Sequence, residues 1–275
     1  FAPAFSGVAK KIKKYLDATI MVICHNIIPH EEHLLDTRLT KRFFGFIDSF
    51  IVLSKKVENE LLNIVPGAKY KYSPHPVYNI FKNTLSKEQA KAELNIATKK
   101  VLLFFGLIRK YKGLDILINA MEKINTELDD YTLLIVGECY ENKAKYTDLI
   151  KNAGITDNVQ CHYSFVPDNE VGKYFSASDV VVLPYKSASQ SGIVQIAYNF
   201  DTPVIVSNVG GLPEIVDEGK TGYCVEPSSN AFAKAIKAFY DKDNINELNS
   251  NISDYKSQFS WDGIVNAIEE LVNVD

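Results

Sequence analysis

Cysteine is scarce and scattered. Cys24, Cys139, Cys161 and Cys224 form no CxxC pair and have no histidine at metal-ligand spacing. That pattern argues against a zinc site or a disulfide framework and fits reduced thiols in a cytoplasmic protein. No apolar run approaches the length of about 18 residues that a membrane-spanning helix needs. Neither sign of charge dominates: 30 Lys and Arg stand against 34 Asp and Glu, a net charge of −4. Nothing global therefore draws the chain to nucleic acid or to anionic lipid. There is no GxGxxG, so a nicotinamide or flavin site has little support, and neither GxxxxGK(S/T) nor GxSxG occurs. The chain opens at Phe1 without an initiator Met and without the charged-then-apolar layout of a signal peptide, which gives the expectation of a fragment from a longer chain.

What is present is an alternation of strand-like and helix-like stretches. Apolar runs of strand length are TIMVIC (19–24), FIVL (50–53), VLLFF (101–105), TLLIV (132–136), DVVVL (179–183) and PVIVS (203–207). Between them lie amphipathic segments; Leu114, Leu117, Ile118 and Met121 recur at the spacing of one buried helix face. Strands apolar throughout and alternating with helices predict an α/β fold with parallel sheet covered on both sides. The stretch YSPHPVYNIFKNTLS (72–86) breaks the rhythm and reads as a linker. The expected organisation is a partial first domain over 1–83, with two or three strands, and a complete second domain over 84–257, with about six. A terminal amphipathic helix follows over 258–275.

In an open α/β sheet, ligands sit beyond the carboxyl ends of the strands, which selects a few loops. Gly106 closes VLLFF and lets the chain turn; Arg109 and Lys112 follow, and a helix starts near Gly113. Two cations beside a helix N-terminus make an anion site; the other reading is a solvated basic loop. After DVVVL, Ser191 and Gly192 open a second helix whose apolar stripe is Ile193, Ile196, Ala197 and Phe200. Its N–H groups suit a further phosphate, and Gln195, opposite that stripe on a helical wheel, is expected outside the core. Gly210 and Gly211 form a third strand-end loop, with Pro213 suited to a first helical position. In CHNIIPHE (24–31), His25 and His30 follow a strand and are either structural or catalytic. The one DxD, Asp241 to Asp243, falls between helices and reads as a solvated connection, so no metal site is expected.

These segments, in this order, resemble the retaining sugar-nucleotide glycosyltransferases of the GT-B fold, specifically the family-four, glycosyl transferases group 1 type. The resemblance is carried by FFGLIRKYKGLDILINA, LLIVGE, FVPDNEVGKYFSASDVVVLPY and PVIVSNVGGLPEIVDEGKTGYCVEP, with CHNIIPHE and FIVLSKKVENELL resembling the tail of that family's first domain. It implies two Rossmann-like domains facing a cleft, the N-terminal one incomplete here. The donor, a UDP-, GDP- or ADP-sugar, would be held mainly by the second domain. By position, Arg109 and Lys112 would hold the donor diphosphate. Gly106 and the loop Ser191, Gly192, Ile193, Val194 would line it, with Gln195 on the ribose side. Phe165 and Val166 would lie against the base, His25 near the transferred sugar, and the helix around Trp261 would return to the first domain. The implied acceptor is a glycan or a lipid-linked sugar in bacterial surface-polysaccharide assembly, with no cofactor and no metal. The basic run KKIKKY (10–15) allows peripheral membrane contact, and a solvated helix face explains it equally well.

Two departures stand out. The family carries two glutamates eight residues apart around the donor loop; here those places fall on Ser187 and Gln195, or on Ala188 and Ile196, and none is acidic. The N-terminal portion is also short. Two other readings follow: a binding module that holds a nucleotide or partner without transfer, and a sugar-nucleotide epimerase of the same fold, which would need acid/base groups that the donor loop lacks.

Overall fold

The structure is a computed structural model that describes residues 2–16, 18–27, 36–82 and 85–272. It divides into two compact units: residues 1–76 together with 259–275, and residues 77–258.

The first unit contains α1 (Ala2–Tyr15), β1 (Met21–Cys24), α2 (Asp36–Phe44), β2 (Ser49–Val52), α3 (Lys55–Ile64) and β3 (Tyr70–Tyr72). The three strands pair in parallel in the order β1-β2-β3, with Ile23 opposite Ile51 and Ile51 opposite Lys71. Strand alternation divides the central strand between two cores. Phe50 and Val52 pack with Cys24, Phe44, Val57 and Leu61 on one face. Ile51, with Leu53 just beyond the strand, meets Ile264, Ala267 and Leu271 of the last helix on the other. Ser54 caps α3, accepting from the Val57 N–H at 3.2 Å.

The second unit holds α4 (Lys87–Glu93), β4 (Lys100–Phe105), α5 (Leu114–Ile124), β5 (Tyr131–Val136), α6 (Lys143–Asn152), β6 (Val159–His162) and α7 (Asp168–Ala177). It continues with β7 (Val180–Leu183), α8 (Gly192–Asn199), β8 (Val204–Ser207), β9 (Gly222–Val225), α9 (Ser229–Asp241) and α10 (Ile245–Tyr255); α11 (Trp261–Val272) then returns the chain to the first unit. All six strands are parallel, in the order β6-β5-β4-β7-β8-β9. Leu102 and Phe104 face α5 and α9 through one core, while Phe105 on the opposite face meets Phe175 of α7 with ring centroids 5.0 Å apart. From β4 the chain winds outward to β6, then restarts at β7 and winds the other way, so the strand order reverses between β4 and β7. That reversal opens a crevice at the strands' carboxyl ends. The starts of the same two strands are tied by buried Asp179, which accepts from the Val101 N–H at 2.6 Å and pairs with Lys87.

Three strands lay outside the apolar runs: β3, β6 and β9. All three are edge strands. Their burial is partial where β5 and β7 are buried at every position, so their sequences carry polar residues that hide the strand pattern. The expected first-domain boundary at 83 falls later than the break between 76 and 77, because Tyr78 to Lys82 pack against α7 and α8.

Strand ends here come closer than a side chain allows. Gly137 after β5 has φ +137°, and a Cβ on it would sit 2.0 Å from the Gly106 carbonyl oxygen. Gly137→Ala is expected to cost about 2 kcal/mol or more, since it combines a strained φ with a backbone collision. Urea unfolding reads this directly, and a midpoint equal to wild type would show that the two strand ends can separate freely.

Candidate functional site

The site grows from the carboxyl ends of β4 and β7. Gly106, at φ +114°, lets the chain leave β4 with the Ile193 side chain of α8 close by; a Cβ on Gly106 would meet its Cδ1 at 3.4 Å. The chain then runs through Arg109 and one tight turn, Lys110–Lys112, to Gly113, which is left-handed at φ +68° and begins α5. A Cβ at Gly113 would lie 1.9 Å from the Pro184 carbonyl oxygen, so only glycine lets α5 start beneath the β7 loop. The Lys186 N–H donates to the Tyr111 carbonyl at 2.7 Å and clips the two loops together. Gly106, Arg109, Lys112 and the start of α8 thus share one end of the sheet.

Both cations lie over aromatic rings. The Arg109 guanidinium is 4.7 Å from the centroid of Tyr140, whose hydroxyl donates to Glu138 at 3.0 Å. The Lys112 ammonium is 3.8 Å from the centroid of Tyr185 and 5.4 Å from that of Tyr111. Among the described residues Lys112 has no carboxylate partner, whereas neighbouring Lys186 is neutralised by Asp115 at 2.7 Å. A ring orients a cation without cancelling its charge, which leaves Lys112 available to an anion. Tyr185 is fully buried, and its hydroxyl has no hydrogen-bond partner among the described residues. Neither Tyr140 nor Tyr185 was legible as a site residue, because each meets its cation across the fold rather than along the chain.

Ser191 caps α8, its Oγ accepting from the Ile193 N–H at 3.3 Å. The remaining first-turn N–H groups of a helix have no intrahelical acceptor. Ser191 is buried, Gly192 and Ile193 are half-buried, and Val194 turns into the core. Phe165 lies just beyond β6 and is 71% exposed, with Val166 half-buried beside it. An aromatic ring this exposed at a strand's carboxyl end suits stacking.

Gln195 is a correction. It was expected on an exposed face of α8, and it is fully buried with both amide atoms lacking a hydrogen-bond partner among the described residues. The helical wheel assumed one solvent side, but Val194 through Tyr198 are all buried, so α8 is enclosed nearly all round. The exposed-face ground for giving Gln195 to a ligand is removed. Conversely Ile193, expected in the apolar stripe, is the residue beside Gly106.

His25 stands exposed just after β1, its ring 5.6 Å from that of buried His75 in an edge-on contact. The His75 Nδ1 lies 2.8 Å from the Pro76 carbonyl, which fixes its donor on that nitrogen. Burial lowers the pKa of His75, and partial desolvation lowers those of His25 and His162. His30 lies outside the described residues. Asp241 ends α9, and Asp243 follows in a left-handed turn at φ +47°. Among the described residues no helix is long and apolar enough to cross a membrane.

A family model described as Glycosyl transferases group 1 matches residues 86–259. Spore coat protein SA of Bacillus subtilis (strain 168) is 26% identical over 200 residues, covering 69% of this chain and 52% of that protein. D-inositol 3-phosphate glycosyltransferase of Corynebacterium aurimucosum is 30% identical over 192 residues, covering 67% of this chain and 45% of its own. The chain therefore spans about half the length of the curated relatives it matches. Among solved structures, Anabaena HepE in complex with UDP-glucose superposes with a TM-score of 0.82 at 19% identity, over 99% of this chain and 76% of that one. Sucrose-phosphate synthase from Thermosynechococcus elongatus gives 0.81 at 22% identity, over 97% and 70%. At these identities the structures establish the shared α/β fold.

Two outcomes follow from the buried groups. Gln195→Leu is expected to raise stability by about 1 kcal/mol in urea unfolding, since an unpartnered amide gives way to an apolar side chain. A lowered midpoint would show that the amide has a role that the fold does not supply. A histidine whose folded pKa lies below its unfolded value of about 6.5 takes up fewer protons folded than unfolded on acidification. Stability is then full above about pH 6.5 and declines as pH falls through it. His75→Leu should flatten that decline in denaturation midpoints measured from pH 7.5 to 5; an unchanged slope assigns the acid sensitivity elsewhere.

Proposed function

This chain belongs to the glycosyl transferases group 1 family, and from that premise we propose that it holds the donor of a sugar transfer. The donor is a nucleoside-diphosphate sugar, a UDP-, GDP- or ADP-sugar, and the acceptor a glycan or lipid-linked sugar. We further propose retention at the transferred carbon and a role in bacterial surface-polysaccharide synthesis, at the cytoplasmic side of the inner membrane with peripheral contact. The observation that carries the reading is the pair of cations on aromatic faces in the loop after β4, the loop whose Gly106 meets Ile193 of α8.

The chemistry asks for that arrangement. When the bond between the sugar carbon and the phosphate oxygen breaks, the electron pair stays on the diphosphate and negative charge grows there. Cations and helix N–H groups already fixed around that charge stabilise the transition state more than the bound donor. In this proposal Arg109 and Lys112 take the diphosphate, Gly106 and Ser191 through Val194 supply close-approaching backbone, and Phe165 with Val166 meets the base. His25 is assigned to the sugar and acceptor. No cofactor and no metal enter the proposal; the nucleotide sugar is substrate.

A second reading has one observation in its favour. No carboxylate stands at Ser187, Ala188, Gln195 or Ile196, so a module that binds nucleotide without transferring sugar fits the same cation pair. Release of nucleoside diphosphate in the presence of acceptor separates the two.

UDP, GDP and ADP, with their sugar conjugates, should be scanned for thermal stabilisation of wild type and Arg109→Ala. UDP comes first, being the nucleotide of the HepE complex. Ligand at ~100 times its dissociation constant stabilises by about 2.7 kcal/mol. One base is expected to raise the midpoint of wild type and to lose most of that effect in Arg109→Ala. No shift with any nucleotide would overturn the donor site.

A further inference from the structure

Tyr185 follows β7, and the fold gives its polar end no partner. The residue is 1% exposed, and its hydroxyl has no hydrogen-bond partner among the described residues. A buried phenol ordinarily finds one, and its lack costs stability. What does engage the side chain is the Lys112 ammonium, 3.8 Å from the ring centroid.

The ring is fixed independently of the lysine. Tyr111 meets it edge-on, centroids 6.5 Å apart at 72°, and the Tyr111 carbonyl accepts from the Lys186 N–H at 2.7 Å. Pro184, the preceding residue, has its carbonyl against Gly113. Lys112 sits in the other loop, its N–H donating to the Arg109 carbonyl at 2.9 Å. The ring therefore belongs to the loop after β7 and the cation to the loop after β4, the two strands between which the sheet order reverses.

A lysine carries a compact charge and three donors on a flexible stem. Left in water, that stem must be ordered when an anion arrives, which weakens binding. An aromatic face on one side of the ammonium confines it beforehand and leaves donors for the other side. A carboxylate would confine it too, but would cancel the charge. The nearest acid in sequence, Asp115, is already taken by Lys186 at 2.7 Å.

We propose that Tyr185 is a positioning residue of this site: its ring holds the Lys112 ammonium in place for the diphosphate of the nucleotide. The role rests on the donor-site reading and adds to it a residue that acts on the ligand only through Lys112.

The test is calorimetric titration with the best bound of UDP, GDP and ADP. Tyr185→Leu, which removes the ring, should weaken binding about fivefold, the cost of ordering one long side chain. Tyr185→Phe, which keeps the ring, should restore the affinity. In a Lys112→Met background, Tyr185→Leu should change affinity no further, whereas a ring that merely shapes the fold would weaken binding in both backgrounds. Wild-type affinity in Tyr185→Leu overturns the role and leaves the donor site standing, as does equal weakening with and without Lys112. Tyr185→Phe binding as weakly as Tyr185→Leu overturns it too, since the hydroxyl and not the ring would then matter. A second measurement needs no variant of Tyr185 and so survives any failure of Tyr185→Leu to fold. In NMR spectra of isotope-labelled lysine side chains, with Lys112→Met to assign the signal, the ring current should move the Lys112 ε-protons upfield. An unshifted resonance means that the ammonium leaves the ring in solution, and the role falls. A wild-type chain that binds none of the three nucleotides removes the donor site, and the purpose of Tyr185 with it.

Discussion

Backbone pressed on backbone at the carboxyl ends of the central strands governs this structure. Gly137 lies against the Gly106 carbonyl and Gly113 beneath the Pro184 carbonyl, contacts that exist only because neither glycine carries a Cβ. They draw together the loops after β4, β5 and β7, where the strand order reverses. At the opposite end, Asp179 holds the starts of β4 and β7 through the Val101 N–H and Lys87. With both ends held, the residues between Gly106 and Gly113 have little freedom, and the directions of Arg109 and Lys112 follow from that confinement.

The way these cations are held is itself informative. A carboxylate partner would fix a lysine and also consume its charge, as Asp115 does for Lys186. The aromatic face under Lys112 gives position with the charge left over. The arrangement spends hydroxyl satisfaction to reach it, since the Tyr185 hydroxyl lies buried without a partner among the described residues. Such local cost without local benefit is common where a fold serves a ligand.

The α/β class and the location of the cation loop were legible because central parallel strands are apolar on both faces, and VLLFF ends abruptly at Gly106. Edge strands were not, since β3, β6 and β9 keep polar residues on their open sides. The misplacement of Gln195 came from applying a two-sided wheel to a helix enclosed by its neighbours. Tyr140 and Tyr185 escaped notice for another reason. Each earns its place through a partner distant in sequence, and no local spacing encodes that. Sequence periodicity reports what an element buries; it says little about which ring a cation will find.

The two units differ in how the chain delivers them. Residues 77–258 form one unbroken segment, whereas the first unit needs 259–275 to be whole. Ile51 and Leu53 wait for Ile264, Ala267 and Leu271 of α11. During synthesis the six-stranded sheet is complete in sequence before that last helix emerges. Strand β2 therefore packs against α11 only after the whole second unit has been made.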